Sequence, residues 1–223
     1  MHIGLIGGIG PAATEVYYRA IVRAHSAAGR RLSLTIVHAD VREMATNLEA
    51  GRKAEQAAIF AGYVDQLRAG GCETAAVTSM GGHFCIAELE AISTLPLIKA
   101  VPALDAHLAG LGVARVGVLG TRMVMESKLY GLSSVEVVAP PPEEIAAVHS
   151  SYVSLAAVGF ATPEQCAFFH KAATELHRMQ GAEVVVLGGT DLSVAFGSAD
   201  LGFPIVDSAL VHADAIAHVA MAS

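Results

Sequence analysis

Short apolar runs alternate along the whole chain with longer segments in which apolar residues recur at helical spacing. In the first half this pattern predicts buried strands at HIGLIG (2–7), LSLTIVHA (32–39), TAAVTS (74–79) and PLIKA (96–100). The same half is predicted to contain helices around 11–28, 51–69 and 83–92. In the second half, strands separated by helices are predicted at 114–120, 135–139, 182–189 and 203–206. Such alternation is typical of parallel βαβ units.

Segments of the two halves resemble each other. IGLIGGIG opens the first half and VGVLGTR takes the matching place in the second, while 75–83 and 184–192 are both apolar strands that lead into small and hydroxyl-bearing residues. The pattern predicts an α/β fold of two similar lobes, each a parallel sheet flanked by helices, with the ligand cleft between them. We assign 1–98 plus 208–223 to the first lobe and 99–207 to the second. Ligands of open parallel sheets bind beyond the carboxyl ends of the strands, so we expect the chemistry there.

Composition excludes several classes of partner. The 223 residues carry a net charge of −7 with a pI near 5.8, and there is no Lys/Arg cluster. Nucleic acid is not an expected partner, because phosphate binding needs a concentrated basic surface. No apolar run reaches the roughly 20 residues of a membrane span, and the opening MHIGLIGGIGP lacks the features of a signal peptide. We therefore expect a cytoplasmic protein without a membrane partner.

The three cysteines are Cys72, Cys85 and Cys166. They form neither a CxxC pair nor a metal-ligand spacing. We therefore expect free thiols in a reducing compartment and no bound metal.

A glycine-rich turn follows the first strand. Residues 8–13 read GIGPAA, which matches the GxGxxA fingerprint of dinucleotide-binding folds, and Asp40 lies where a ribose-binding acid is expected. Pro11 suits a first helical position, but it removes one of the N–H groups that would contact a pyrophosphate. Three roles stay open for this loop: dinucleotide binding, a tight strand-to-helix turn, and a site for a small anion such as a carboxylate.

Five segments, in order along the chain, resemble the aspartate/glutamate racemase family. IGLIGGIGPAAT (3–14) is similar to the family's opening IGIIGGMGPxAT, and the stretch from Gly70 through His83 to Pro96 resembles the region around CNTxH and IPL. The segments 117–130, 181–192 and 204–215 resemble LLGTxxTMxxxxY, GAExVILGCTEL and PxxDSxxIHAxA. On this resemblance the chain is identified as a divergent member of that family.

The resemblance implies a cofactor-free enzyme, expected to be a homodimer, that holds a small carboxylate substrate between its lobes. In the family, one cysteine from each lobe flanks the substrate Cα; one removes the proton and the other returns it from the opposite face. Thiolates suit this task because their pKa lies near 8.5 and is readily lowered. Here the matching positions hold Ser79 and Gly189. We therefore predict that any proton transfer uses oxygen or imidazole instead.

Ser79, His83 and Asp191 are the candidate catalytic residues. A serine hydroxyl is a poor base unless another group activates it, and His83, about one turn further on, titrates near neutrality. His83 either forms a base with Ser79 or only orients the loop. Asp191, two residues past Gly189, either serves the second face of the substrate or caps a helix start. Cys85 is predicted to be a small buried apolar side chain.

Substrate binding is predicted for the loops at the strand ends, because backbone N–H groups at helix starts hold carboxylates. The candidate binding residues are Gly8, Ile9, Gly10, Met80, Gly81, Gly82, Thr121, Gly189 and Thr190. Family members that take acidic amino acids usually carry a basic residue near the region corresponding to 152–160, and YVSLAAVGF has none. This favours a less charged or more apolar substrate.

Three functions are compatible with the sequence. The preferred one is an isomerase, an amino-acid racemase or epimerase that moves the Cα proton. A decarboxylase or lyase of the same superfamily would instead use the N–H groups around 79–82 and 189–190 to stabilise an enediolate. A catalytically inactive small-molecule binder would keep the cleft without the chemistry.

Overall fold

Two parallel sheets form the centre of the structure, a computed structural model that describes residues 1–222. The first sheet has the order β2-β1-β3 and contains β1 (His2–Gly7), β2 (Ser33–His38) and β3 (Thr74–Val77). The second has the order β5-β4-β6-β7 and contains β4 (Arg115–Leu119), β5 (Glu136–Val138), β6 (Val184–Leu187) and β7 (Ile205–Asp207). All paired strands are parallel. Because β5-β4-β6 repeats the order β2-β1-β3, the predicted α/β fold of two similar lobes is confirmed.

Helices connect the strands and cover the sheets. The helices of the first half are α1 (Pro11–Ala27), α2 (Val41–Glu49), α3 (Lys53–Ala69) and α4 (Ile86–Ile92). Those of the second half are α5 (Ala100–Leu111), α6 (Arg122–Glu126), α7 (Lys128–Gly131), α8 (Pro142–Val158), α9 (Pro163–Gln180), α10 (Ser193–Phe196) and α11 (Ser208–Met221). Two short 3-10 helices, Gly81–Cys85 and Thr190–Leu192, follow β3 and β6 at equivalent places in the two lobes.

The strand predicted at 96–100 is not formed. Leu97 makes one isolated parallel bridge with Ala75, and α5 already begins at Ala100. The bridge uses the Pro96 carbonyl and the Ile98 N–H, but Pro96 has no N–H with which to extend the ladder in the N-terminal direction. Conversely, residues 41–49 form a helix that the sequence pattern did not predict. Asp40 caps this helix by accepting hydrogen bonds from the N–H groups of Arg42 and Glu43.

Apolar side chains cover both faces of the first sheet at its central strand β1, which is buried from Ile3 to Gly7. Phe60 and Leu67 of α3 belong to the cluster on one face. On the other face, Tyr17 of α1 and Ile216 of α11 pack in one cluster with Leu5. The closing helix α11 therefore contacts the first lobe. The lobe boundaries stay a prediction, and Ser223 lies outside the described residues.

The two lobes contact each other through the loop that follows β3. The Met80 side chain is buried in the apolar cluster of the second lobe, together with Leu104 and Val118. The Tyr130 hydroxyl donates to the backbone oxygens of Met80 at 3.1 Å and Gly81 at 3.2 Å. These contacts fix the position of this loop relative to the second sheet.

Candidate active site

A cavity of about 200 Å³ lies between the lobes, where the carboxyl ends of the strands meet. It is smaller than the roughly 300–1,000 Å³ of pockets that hold drug-sized ligands, so it suits a small metabolite. Its wall combines strand-end loops of both lobes with side chains of α2 and α8. The predicted site residues that line it are Ile9, Gly10, Ser79, Gly81, Thr121 and Asp191.

The other predicted site residues are buried but do not form the wall of this cavity. They are Gly8, Met80, Gly82, His83, Gly189 and Thr190. A larger groove of about 440 Å³ lies elsewhere along α1, beside Arg19, Arg23 and Asp207, but none of the predicted site residues lines it. The cavity between the lobes is therefore the candidate active site.

His83 does not pair with the Ser79 side chain, so the predicted Ser79–His83 base is not formed. The His83 Nδ1 lies 2.7 Å from the Ser79 carbonyl oxygen, and Nε2 lies 2.9 Å from the Ala100 nitrogen. Because Nε2 accepts from the Ala100 N–H, Nδ1 carries the proton that is donated to Ser79. Burial lowers the pKa of His83 to about 4. A neutral ring engaged at both nitrogens orients the loop, which is the second of the two roles left open by the sequence.

Ser79 presents its hydroxyl to the cavity from the first lobe. Its side chain is buried, and Oγ accepts a hydrogen bond from the Gly82 N–H at 3.2 Å. A backbone N–H directed at this oxygen stabilises negative charge that develops on it. Ser79 is therefore better suited to give up a proton than an ordinary serine hydroxyl.

Asp191 reaches from the second lobe to the start of α1 in the first. Asp191 is only 1% exposed. Its Oδ1 accepts a hydrogen bond from the Ala13 N–H at 3.0 Å, and its Oδ2 accepts one from the Tyr152 hydroxyl at 3.1 Å. Gly10 has φ 97°, and a Cβ at this position would lie only 3.0 Å from the Asp191 Cγ. Glycine is required here both for the turn and for the close approach of the carboxylate. The glycine-rich loop therefore contacts a carboxylate of the protein itself.

Burial raises the pKa of Asp191, and the hydrogen bonds from Ala13 and Tyr152 act in the opposite direction. The Asp191 carboxylate is consequently a stronger base than an exposed aspartate while it stays tightly held.

Tyr152, on α8, fills the space beside Gly189. A Cβ on Gly189 would overlap the Tyr152 Cε2 and lie 2.8 Å from Cδ2 and Cζ. Burial, together with the nearby charge of Asp191, raises the pKa of Tyr152 well above its usual 10, so the phenol is neutral. The aromatic ring thus lies where a side chain of residue 189 would lie. Sequence reasoning missed Tyr152 because only the fold brings α8 against the end of β6.

Two helices, α2 and α8, contribute ionisable side chains to the cavity that the sequence did not indicate as site residues. Arg42 and Glu49 of α2 and His149 of α8 line it. The His149 Nδ1 accepts from the Arg122 N–H at 3.2 Å, and burial lowers the pKa of His149. Arg42 of α2 is thus a basic residue at the cavity, whereas the segment 152–160 contains none. Asp40 followed by Glu43 is a helix-start signal from which this helix could have been predicted.

No cysteine lines the cavity. Cys72 and Cys85 are buried elsewhere, and Cys166 is half-buried. The Cys85 thiol donates to the Gly82 carbonyl at 3.5 Å, and burial raises its pKa to about 12. Cys85 is therefore a protonated, buried thiol.

Within residues 1–222, no group of three or more His, Cys, Asp or Glu side chains is arranged to hold a metal ion. The same part of the chain contains no helix with the length and apolar character needed to cross a membrane.

Two parallel sheets of repeated order, with a small cavity where their strand ends meet, define a two-lobed α/β protein. The chain belongs to the Asp/Glu/hydantoin racemase family, whose family model matches residues 6–216. The resemblance noted in the sequence is thereby confirmed.

Solved structures show the same fold. A candidate Asp/Glu racemase from Yersinia pestis is 25% identical, with a TM-score of 0.83 over 99% of this chain and 100% of that one. An aspartate racemase homologue from Pyrococcus horikoshii OT3 is 24% identical, with a TM-score of 0.79 over 99% of both chains. A glutamate racemase from Francisella tularensis, in complex with D-glutamate, is 15% identical, with a TM-score of 0.69 over 99% of this chain and 81% of that one.

Proposed function

We propose that the protein is an isomerase of the amino-acid racemase or epimerase type, which transfers the Cα proton of a small amino acid or related carboxylic acid without a cofactor. The observation that carries this proposal is that Ser79 and Asp191, from equivalent strand ends of the two lobes, line one small cavity. A racemase needs a proton-transfer group on each face of Cα, and this arrangement supplies one oxygen group from each lobe.

Asp191 is the base of the proposed reaction, because burial raises its pKa. When the Cα–H bond breaks, the proton passes to the second-lobe side, and the electron pair delocalises into the substrate carboxylate as an enediolate. Ser79 then donates its hydroxyl proton to the opposite face, and the Gly82 N–H stabilises the alkoxide. Water in the cavity completes the cycle by carrying the proton from Asp191 to Ser79.

The residues that line the cavity favour an amino acid with a small apolar side chain as the substrate. Arg42 of α2 lines the cavity, and its guanidinium suits the carboxylate of an amino acid. Met44, Leu48 and Val153 give the same cavity an apolar surface. An apolar surface favours a hydrocarbon side chain over a second carboxylate.

Exchange of the Cα hydrogen with solvent tests this proposal. Alanine, valine, methionine, aspartate and glutamate, each as both enantiomers, are incubated with the protein in D2O, and the Cα signal is followed by proton NMR. We expect exchange with at least one apolar amino acid. Asp191→Asn should slow it by about 100-fold or more, the usual contribution of a general base. Asp214→Asn, at an exposed aspartate outside the cavity, is the matched control.

Other outcomes of the same experiment contradict the proposal. If no amino acid of the panel exchanges its Cα hydrogen but one of them raises the melting temperature, the protein is the inactive small-molecule binder instead. Release of CO2 from a malonate-type acid would identify the decarboxylase.

A further inference from the structure

We infer that Tyr152 is a catalytic residue that acts together with Asp191 as one proton relay on the second-lobe side of the cavity. This inference rests on the proposed function and names the group that contacts Cα on that side.

The first supporting observation is the position of the ring. Tyr152 lines the cavity, and its ring overlaps the volume that a side chain at Gly189 would take. Gly189 lies two residues past the end of β6, as Ser79 lies two residues past the end of β3, so residue 189 is the second-lobe position from which a group opposite Ser79 would act. The phenol of Tyr152 therefore lies next to the position from which that group would act.

The second observation is that the phenol and the carboxylate are held as a fixed pair. The Tyr152 hydroxyl donates to Asp191 Oδ2 at 3.1 Å, while Oδ1 is held by the Ala13 N–H at 3.0 Å. The Tyr152 side chain is only 7% exposed. Packing therefore fixes the direction of its hydroxyl, and Asp191 is ready to accept the phenolic proton.

The proton balance of the step follows from this arrangement. As the Cα–H bond breaks, its proton bonds to the phenolic oxygen of Tyr152, and the phenolic proton moves to Asp191 Oδ2. The phenol stays neutral, Asp191 becomes a carboxylic acid, and the electron pair of the broken bond remains on the substrate as the enediolate. In the opposite direction, the phenol donates to Cα and recovers a proton from Asp191.

Tyr152→Phe tests the relay, because it keeps the ring against Gly189 and removes only the hydroxyl. For each amino acid of the panel that the wild type exchanges, the Cα exchange of the L and D enantiomers is measured separately in D2O by proton NMR and compared in the wild type, in Tyr152→Phe and in Tyr18→Phe. Tyr18 is half exposed and lies outside the cavity, so it is a matched control. We expect exchange of one enantiomer to fall by about 100-fold or more in Tyr152→Phe and that of the other to fall much less.

Asp191→Asn should give the same enantiomer-selective loss, because it removes the acceptor of the phenolic proton. Thermal unfolding of each variant shows that the comparison is made on folded protein. Unchanged exchange in Tyr152→Phe, or an equal loss for both enantiomers, would overturn the relay while leaving the proposed function intact. If the wild type exchanges no amino acid of the panel, the proposed function fails and the relay fails with it.

Discussion

Replacing Gly189 with alanine measures how closely the Tyr152 ring fills the space beside it. The Gly189 backbone has φ −94° and ψ 111°, which any residue adopts, so the substitution adds no backbone strain. The added methyl group would overlap Cε2 and lie 2.8 Å from Cδ2 and Cζ of Tyr152. The ring cannot move away easily, because its hydroxyl is bonded to the buried Asp191.

The expected cost follows from this overlap. Overpacking a filled core costs about 1–3 kcal/mol, and a chain of this size loses about 2–4 °C of melting temperature per kcal/mol. Gly189→Ala should therefore melt about 2–12 °C below the wild type. Tyr152→Ala alone should cost about 3–5 kcal/mol for the lost aromatic burial. In the double variant the methyl group no longer overlaps a ring. The stability loss of the double variant should therefore be about 1–3 kcal/mol smaller than the sum of the losses in the two single variants.

Urea unfolding of the wild type, the two single variants and the double variant measures this coupling. Gly62→Ala is the control, because the space around Gly62 is open and alanine favours the helix, so the variant should be as stable as the wild type or up to about 1 kcal/mol more stable. Equal stability of Gly189→Ala and the wild type, or strict additivity in the double variant, would refute the claim that Tyr152 takes the place of a side chain at 189.

Three further variants or reactions test buried ionisable groups outside the wall of the cavity. Burial raises the pKa of Asp207 from 3.8 to about 6, so its favourable contribution to stability is complete below pH about 4 and is lost as the pH rises through about 6. Asp207→Asn should therefore be more stable than the wild type at neutral pH by up to about 3 kcal/mol in urea unfolding, and a pH-independent difference would contradict this. His83→Leu leaves the Ala100 N–H and the Ser79 carbonyl without partners, so the free energy of unfolding should fall by about 1–3 kcal/mol for each group. A variant as stable as the wild type would count against the loop-orienting role of His83. Cys85, whose pKa burial raises to about 12, should react with a thiol reagent at pH 8 only after unfolding, and labelling of Cys85 in the folded protein would show that the thiol is accessible.

The sequence pattern predicted the fold well because the strands are short, mostly apolar and separated by helices. Every strand of both sheets lies within or next to a predicted run. The exceptions have local causes. Pro96 begins the run at 96–100 without an N–H and α5 already starts at Ala100, so Leu97 makes only one bridge. The helix at Val41–Glu49 has only nine residues and buries only Met44 and Asn47, so it offers few apolar positions from which to predict a helix.

The site could be predicted only where its residues follow strands. Ser79 lies two residues past β3 and Asp191 four residues past β6, and topology brings such strand ends together, so the sequence places both at one cleft. Tyr152 and Arg42 lie on helices whose orientation no local pattern determines. The prediction that His83 pairs with the Ser79 hydroxyl was wrong, because sequence spacing does not determine which group hydrogen-bonds a buried ring nitrogen.

Asp191 also bears on the choice of substrate. A dicarboxylic amino acid would bring two carboxylates into a cavity of about 200 Å³ and needs a separate cationic or N–H site for each. The Ala13 N–H in the first turn of α1, a natural site for an anion, is already bonded to the buried Asp191 carboxylate. A second substrate carboxylate would therefore meet Asp191 as a like charge in a poorly solvated space, whereas a hydrocarbon side chain meets Met44 and Val153. The carboxylate that joins the two lobes is thus also the group that we expect to disfavour acidic substrates.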